Sequence, residues 1–268
     1  MNKYPKVTLL ISTYNWPEAL ALVLKSILKQ TVIPEEIIIA DDGSSEQTKI
    51  LIENFNKEHR LSIKHVWHED RGFRKSIIVN KAIQTSSNPY IIQIDGDIVL
   101  HKRFIEDHKK AAKPGYFIAG SRAAIGEKRS NEILKSGFLL SLNPFSSGMD
   151  TRFNAIRFPF LSFLFSSKSN SSWNVKGCNF AFWKQDYIDV NGYYNGFKGW
   201  GWEDYELAQR LVNKGIKKRK LKWAAVCYHI FHPLSARTNT KPNEFIYRET
   251  IAHKMRHRSP GFHEVVGI

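Results

Sequence analysis

The fold class predicted for this 268-residue chain is α/β, a mostly parallel sheet covered by helices on both faces. Two observations predict it. Apolar strand-like runs alternate with segments of helical period through the first hundred residues, the pattern of consecutive β-α units. Three polar motifs, Ser12–Asn15, Asp41–Ser44 and Asp95–Asp97, fall at the carboxyl ends of those runs, where open α/β sheets bind their ligands.

Taken in order, Val7–Thr13 reads as a buried strand. Asn15 is placed as a helix N-cap, Pro17 sits in the first turn, and the helix runs to about Lys29. Glu36–Ala40 is a second strand that ends in Asp41-Asp42-Gly43-Ser44, followed by a helix carrying Ile50, Leu51 and Phe55. Ser62–Trp67 is a third strand, Arg74–Thr85 a helix, and Tyr90–Asp95 a fourth strand that stops at Asp95-Gly96-Asp97. The alternation then weakens: Tyr116–Ser121 and Asn179–Trp183 read as strands, Trp202–Asn213 as a helix and Trp223–His229 as a last strand. With no internal repeat and no low-complexity linker, residues 1–234 are expected to form one domain with halves 1–100 and 101–234. Residues 235–268 form a basic extension, helical up to Arg258, that either packs or meets phosphate or lipid.

A composition of 42% hydrophobic and 13% aromatic residues is enough to bury a full core. Forty Lys plus Arg against 25 Asp plus Glu give a formal charge of +15, which favours an anionic partner: a nucleic acid, an acidic membrane face or a phosphorylated substrate. Cys178 and Cys227 are too few for a disulfide scaffold or a cysteine zinc site and read as reduced and buried. No apolar stretch of signal-peptide length precedes the first strand, so a cytoplasmic location is expected. No apolar run is long enough to span a bilayer, although Phe138–Leu142 and Phe158–Phe165 are locally very apolar. The segment from Arg129 to Lys168 mixes such clusters with Lys135, Arg152 and Arg157, and either covers the core or rests on a membrane surface.

Two groups of residues carry chemistry. In Gly196–Leu211 a glycine- and tryptophan-rich loop delivers Glu203 and Asp204 to the start of an amphipathic helix. Tryptophan faces stack on sugar rings, glycines admit close backbone approach, and a carboxylate binds or deprotonates a hydroxyl. The alternative is an acidic first turn that complements the helix dipole. Asp95 and Asp97 flank one glycine after an apolar strand, so two hard oxygen ligands converge on a divalent cation, Mn2+ or Mg2+, that also holds phosphate oxygens. His229 or His232, which follow another apolar strand, supplies the missing ligand.

Several ordered motifs together resemble family 2 glycosyltransferases of the GT-A fold, inverting enzymes with nucleotide-sugar donors. The resemblance covers about residues 5–232. It rests on Ser12-Thr13-Tyr14-Asn15, Asp41-Asp42-Gly43-Ser44, Gly72-Phe73-Arg74 with Asn80, Asp95-Gly96-Asp97, Gly177-Cys178-Asn179-Phe180 and Gly199-Trp200-Gly201-Trp202-Glu203-Asp204. The Gly-Phe-Arg motif and the Trp200–Asp204 loop are also similar to chondroitin-type polymerases and β-1,4-galactosyltransferases, whose Tyr-His pair after the last strand corresponds to Tyr228-His229.

Position by position, the resemblance implies that Thr13, Tyr14 and Asn15 border the nucleoside and that Asp42 contacts the uracil or ribose. Arg74 approaches the diphosphate, Asp95 binds the ribose or, through water, the metal, and Asp97 ligates the metal with His229. Asp204 is the implied base, Glu203 its acceptor-orienting neighbour, and Trp200, Gly201 and Trp202 form the acceptor wall. Two positions depart from the pattern. Ile78-Val79-Asn80 stands where Ala-Arg-Asn is usual, leaving Arg71, Arg74 or Lys75 to supply the cation, and Trp202 replaces a glycine of the galactosyltransferases.

The expected partners are a nucleotide-sugar donor, a saccharide or lipid-linked saccharide acceptor and, through the basic surface, an anionic membrane face. Nucleic acid is not expected: nucleic-acid binding explains the charge but neither acidic motif. A nucleotidyltransferase shares the sheet and the metal-bound diphosphate but normally uses a glycine-rich phosphate loop, and Ser12–Trp16 contains no glycine.

Overall fold

The computed structural model describes residues 4–137, 142–233 and 239–265. The first part of the chain runs β1 (Val7–Thr13), α1 (Pro17–Leu28), β2 (Glu36–Asp41), α2 (Glu46–His59), β3 (Ile63–Trp67), α3 (Lys75–Thr85) and β4 (Tyr90–Asp95). Each is the element expected: β1 and β4 keep the expected ends, and the other ends that were set move by at most one residue. β1 is buried along its whole length and lies between β2 and β4, parallel to both, while β3 extends the sheet beyond β2. Apolar faces of α1 and α3 cover the sheet from opposite sides: Leu20, Val23, Leu24 and Ile27 pack in one core cluster, and Ile78, Val79, Ala82 and Ile83 in the other.

The second part contributes β5 (Ile98–Leu100), α4 (Phe104–Ala111), β6 (Tyr116–Ala119), β7 (Ala123–Ala124), α5 (Glu127–Ser136), α6 (Arg152–Ala155) and α7 (Pro159–Phe165). It continues with β8 (Ser167–Ser169), β9 (Phe180–Trp183), α8 (Lys184–Asp189), α9 (Glu203–Asn213), β10 (Lys217–Lys220), β11 (Cys227–His229) and α10 (Thr240–Ala252). The main sheet has the order β3-β2-β1-β4-β9-β6-β10-β8, and β5-β11-β7 form a second, small sheet. This is the GT-A architecture, in one domain.

Two registers build the site. β9 enters antiparallel to β4, with Phe180 opposite Gln93, so the turn Gly177–Asn179 lies level with the carboxyl end of β4 and Asp95. β11 runs antiparallel to β5 with His229 opposite Ile98, which brings the imidazole beside Asp97. The Ile230 N–H donates to the Asp97 carbonyl at 3.1 Å and fixes that approach.

Several local expectations give way to tertiary contacts. Asn15 does not cap α1, whose N-cap is Trp16. Asn15 takes a left-handed backbone (φ 44°), accepts from the Ser45 N–H and donates its own N–H to the Ser44 hydroxyl, tying the loop after β1 to the loop after β2. The last strand shortens to Cys227–His229 because Trp223 and Ala225 adopt positive φ, which breaks a ladder. Residues 138–141 of the apolar run Phe138–Leu142, and the domain boundary at Leu234, lie outside the described residues. The basic tail is helical only to Ala252; α10 packs on α9, and Phe262 beyond it enters the core.

Beneath α9 an ion pair is fully buried. Arg210 donates to both carboxylate oxygens of Glu206 (2.8 and 2.7 Å) and to the Val190 carbonyl, and Thr250 of α10 donates to Glu206 at 3.0 Å. A bidentate pair with its remaining acceptors satisfied fixes the rotation of α9 against its neighbours, and α9 begins at Glu203 and Asp204.

Candidate active site

The carboxyl end of β4 delivers Asp95 and Asp97 to a cleft. Asp97 is largely buried; its Oδ2 lies 3.3 Å from His229 Nε2 and 3.2 Å from His232 Nε2. Its Oδ1 is buried with no hydrogen-bond partner. One ligand atom from each of these residues falls within 4.8 Å of the others. An orphaned carboxylate oxygen beside two imidazoles fits a divalent cation: oxygen and nitrogen donors suit Mn2+ or Mg2+, with imidazole favouring the former. Burial opposes the charge on Asp97, but hydrogen bonds from both histidines outweigh it and hold the carboxyl well below its usual range. The bond to Asp97 correspondingly raises His232.

Asp95 is held differently. Its Oδ1 accepts from the Ser12 hydroxyl (2.8 Å) and the Lys75 ammonium (2.6 Å). Burial alone would depress Lys75, but Asp95, Asp204 and Glu203 together keep it charged. Around them is a cavity of about 260 Å³ lined by Thr13, Tyr14, Asp42, Phe73, Lys75 and the Asp95–Asp97 turn. Asp42 is fixed by His68 (2.7 Å) and by the Arg74 N–H (2.8 Å), and Tyr14 donates to Asp70 (2.8 Å). Asn15 and Arg74 do not line this cavity. Asn15 faces the loop after β2, and the Arg74 guanidinium donates to the Glu69 carbonyl. Arg71 pairs with Glu69 on the surface, so Lys75 is the cation of the three that reaches the acidic turn.

A second cavity, of about 420 Å³, shares Lys75, Asp95 and Trp200 with the first. Gly201, Trp202, Glu203 and Asp204 form one side, and Arg122, Trp173 and Gly177 another. Asp204 accepts from the Tyr193 hydroxyl (2.6 Å, on Oδ1) and the Gly177 N–H (2.7 Å, on Oδ2). A Cβ at Gly177 would stand 2.4 Å from Asp204 Oδ1, so only glycine admits the carboxylate this close. Trp202 occupies the N-cap of α9 at φ 73°, a left-handed conformation in which a glycine is unstrained. Stacking of its ring on Tyr247, 5.2 Å away and tilted by 24°, offsets that strain.

Glu203 accepts from the Gly201 N–H at 3.0 Å. Burial and then the neighbouring Asp204 charge push its carboxyl up to about 7. A carboxylic acid whose folded pKa lies above its unfolded value stabilises the fold below the unfolded pKa, and that contribution is lost as pH rises toward 7. Glu203→Gln is therefore expected to unfold at a higher temperature than the parent chain at pH 8, by up to about 3 kcal/mol of stability, with the difference shrinking toward pH 5. Thermal melts across that range check it; equal melting curves at pH 8 would contradict a buried, destabilised carboxylate.

The sequence motifs thus converge on two adjoining cavities. Missing from the motif reading were Tyr193 and Arg122, and Lys75 entered only as a substitute for an absent arginine. Tyr193 follows Asn191-Gly192, an ordinary turn signal, and nothing local marks it as a partner of a residue eleven positions on. Arg122 lies just past β6, where a carboxyl-end position was the available clue.

Residues 8–171 match the family described as Glycosyl transferase family 2, and residues 161–233 match the N-terminal domain of galactosyltransferase. The chain belongs to glycosyl transferase family 2. It is 28% identical over 229 residues to Validoxylamine A glucosyltransferase of Streptomyces hygroscopicus subsp. limoneus, covering 79% of this chain and 49% of the relative. It is 24% identical over 243 residues to Chondroitin synthase of Escherichia coli, covering 83% and 34%. The chain thus spans about half the length of the first relative and a third of the second. Among solved structures it is similar to GalNAc-T7 with UDP, GalNAc and Mn2+, with a TM-score of 0.68 and 15% identity over 93% of this chain and 48% of that one.

Proposed function

We propose that this protein is an inverting glycosyltransferase. It moves a hexose or N-acetylhexosamine from a UDP-linked donor to a hydroxyl of a saccharide or lipid-linked saccharide in surface polysaccharide synthesis. The observation that carries the reading is the shared wall: the cavity lined by Asp97 and His232, with His229 3.3 Å from Asp97, adjoins the cavity of Asp204 through Lys75, Asp95 and Trp200. A diphosphate in the first then stands next to a base in the second. The relatives act on sugars by name, and the neighbouring solved structure holds UDP and Mn2+.

In this reading Thr13, Tyr14 and Asp42 border the nucleoside, while Asn15 and Arg74 hold the loops that present them. Asp97, His229 and His232 would hold Mn2+ or Mg2+, which when bound neutralises the charge of the departing diphosphate. Asp95 faces the ribose or the metal-bound water, and Lys75 supplies the cation that the Ile78-Val79-Asn80 motif lacks. Tyr193 and Gly177 fix both oxygens of Asp204, leaving a lone pair on each for the cavity. The acceptor hydroxyl gives its proton to Asp204 as its oxygen bonds the anomeric carbon. The bond to the phosphate oxygen breaks on the opposite side, and its electron pair leaves with the nucleoside diphosphate. A single displacement turns an α-linked donor into a β-linked product.

Calorimetric titration with UDP, GDP and TDP, with and without Mn2+, tests the donor side. UDP is expected to bind at micromolar strength with Mn2+ and at least about tenfold more weakly without it. Equal binding with and without the ion, or binding of no nucleotide, would overturn the reading.

A further inference from the structure

We propose that the segment 145–168, together with β10, is a docking face for an anionic lipid bilayer, independent of the reaction proposed above. The three most exposed large hydrophobic side chains among the described residues all lie in it: Phe145 at 91%, Phe160 at 85% and Phe153 at 76%. Phe160 and Leu164 stand four residues apart on α7 and so project from one face, and Leu164 is 63% exposed. Phe145 and Phe153 both line an apolar cavity of about 570 Å³ that also takes in Arg152 and Arg157. Protruding phenylalanines raise the free energy of the chain in water, and soluble domains seldom display several within one short segment.

Charge selects the occupant. Residues 151–185 contain no Asp or Glu, and neither do residues 207–243. These two acid-free stretches meet in the fold: α7 runs through Ser166 into β8, which pairs antiparallel with β10, Lys217-Lys218-Arg219-Lys220. Lys168 and Lys217 are exposed on that strand pair. Within the segment the exposed acid is Asp150, and Arg157 is paired with Asp107, so the free charge is mainly that of Arg152, Lys168 and the β10 lysines. Apolar side chains beside a predominantly basic surface suit a bilayer interface, where the rings enter the acyl boundary and each nearby Lys or Arg adds about 1 kcal/mol against anionic headgroups. No helix of the described residues is long and apolar enough to cross a membrane, so such a face acts by resting on the bilayer.

The test is co-sedimentation of the full chain with phosphatidylcholine vesicles, with and without phosphatidylglycerol, at two salt concentrations. Binding is expected only with phosphatidylglycerol, weakening with salt. The Phe153→Ser, Phe160→Ser double variant is expected to bind at least about tenfold more weakly, the loss of two partly buried rings. Its melting temperature and UDP titration should match the parent, which separates this proposal from the donor-site reading. Because a double variant sometimes misfolds, Phe160→Trp provides a conservative second reading: its added fluorescence is expected to shift blue and to be quenched by brominated acyl chains. Equal binding to both vesicle types, no effect of the double substitution in a folded variant, or no quenching of Phe160→Trp would each overturn the proposal. So would a dimer that the double variant dissolves while vesicles bind neither protein, since the face would then seat a second copy.

Discussion

Asp204→Asn is expected to lower turnover by about 10²–10⁴-fold, the contribution of a positioned general base, while Mn2+-dependent UDP binding stays within about twofold of the parent. The amide matches the carboxylate in shape but cannot take the acceptor proton. Glu203 is next in sequence and does not replace it. Burial holds its carboxyl near 7, and it accepts from Gly201, whereas Asp204 is locked by Tyr193 and Gly177 at the wall shared with the donor cavity. A melting curve controls for the N–H2 group that asparagine would set against one of those two donors. Single-turnover transfer within about tenfold of the parent rate would remove Asp204 from the role of base.

Asp97→Ala is expected to abolish metal-dependent nucleotide binding, a loss of about 10²-fold or more in affinity, because it removes the carboxylate that His229 and His232 converge on. Folding should survive at some cost in stability above the usual carboxylate range, where a carboxyl held below that range contributes to the fold, and the cost should shrink as pH falls through it. Metal binding also carries a pH sign. The bond to Asp97 raises His232, so a proton competes with the ion at that nitrogen, and apparent metal affinity is expected to climb as pH rises past the ordinary histidine range. Titrations of Mn2+ at two pH values check the sign. Affinity independent of pH would leave His232 outside the ligand set.

What the sequence determined was whatever depends on local pattern. β1 to β4 and the helices between them follow from runs of Val, Ile and Leu interrupted by Pro17, Gly43 and Gly96, because hydrophobic period and turn chemistry are encoded within ten residues or so. The acidic motifs at strand ends were legible for the same reason: a parallel sheet places its loops at one edge whatever the rest of the chain does. The tertiary structure decided pairings between remote segments. The choice of Lys75 as the cation at Asp95 rests on how α3 packs across the sheet, while the grip of Gly177 on Asp204 and the meeting of His232 with Asp97 rest on strands β9 and β11 entering antiparallel at fixed register, and Tyr193 reaches Asp204 only in the folded core. Asn15, a helix cap by local chemistry, instead joins two loops, and Trp202 takes a backbone suited to glycine because Tyr247 stacks on it. Such choices turn on small free-energy differences between alternative partners, and only the folded chain brings those partners within reach of one another.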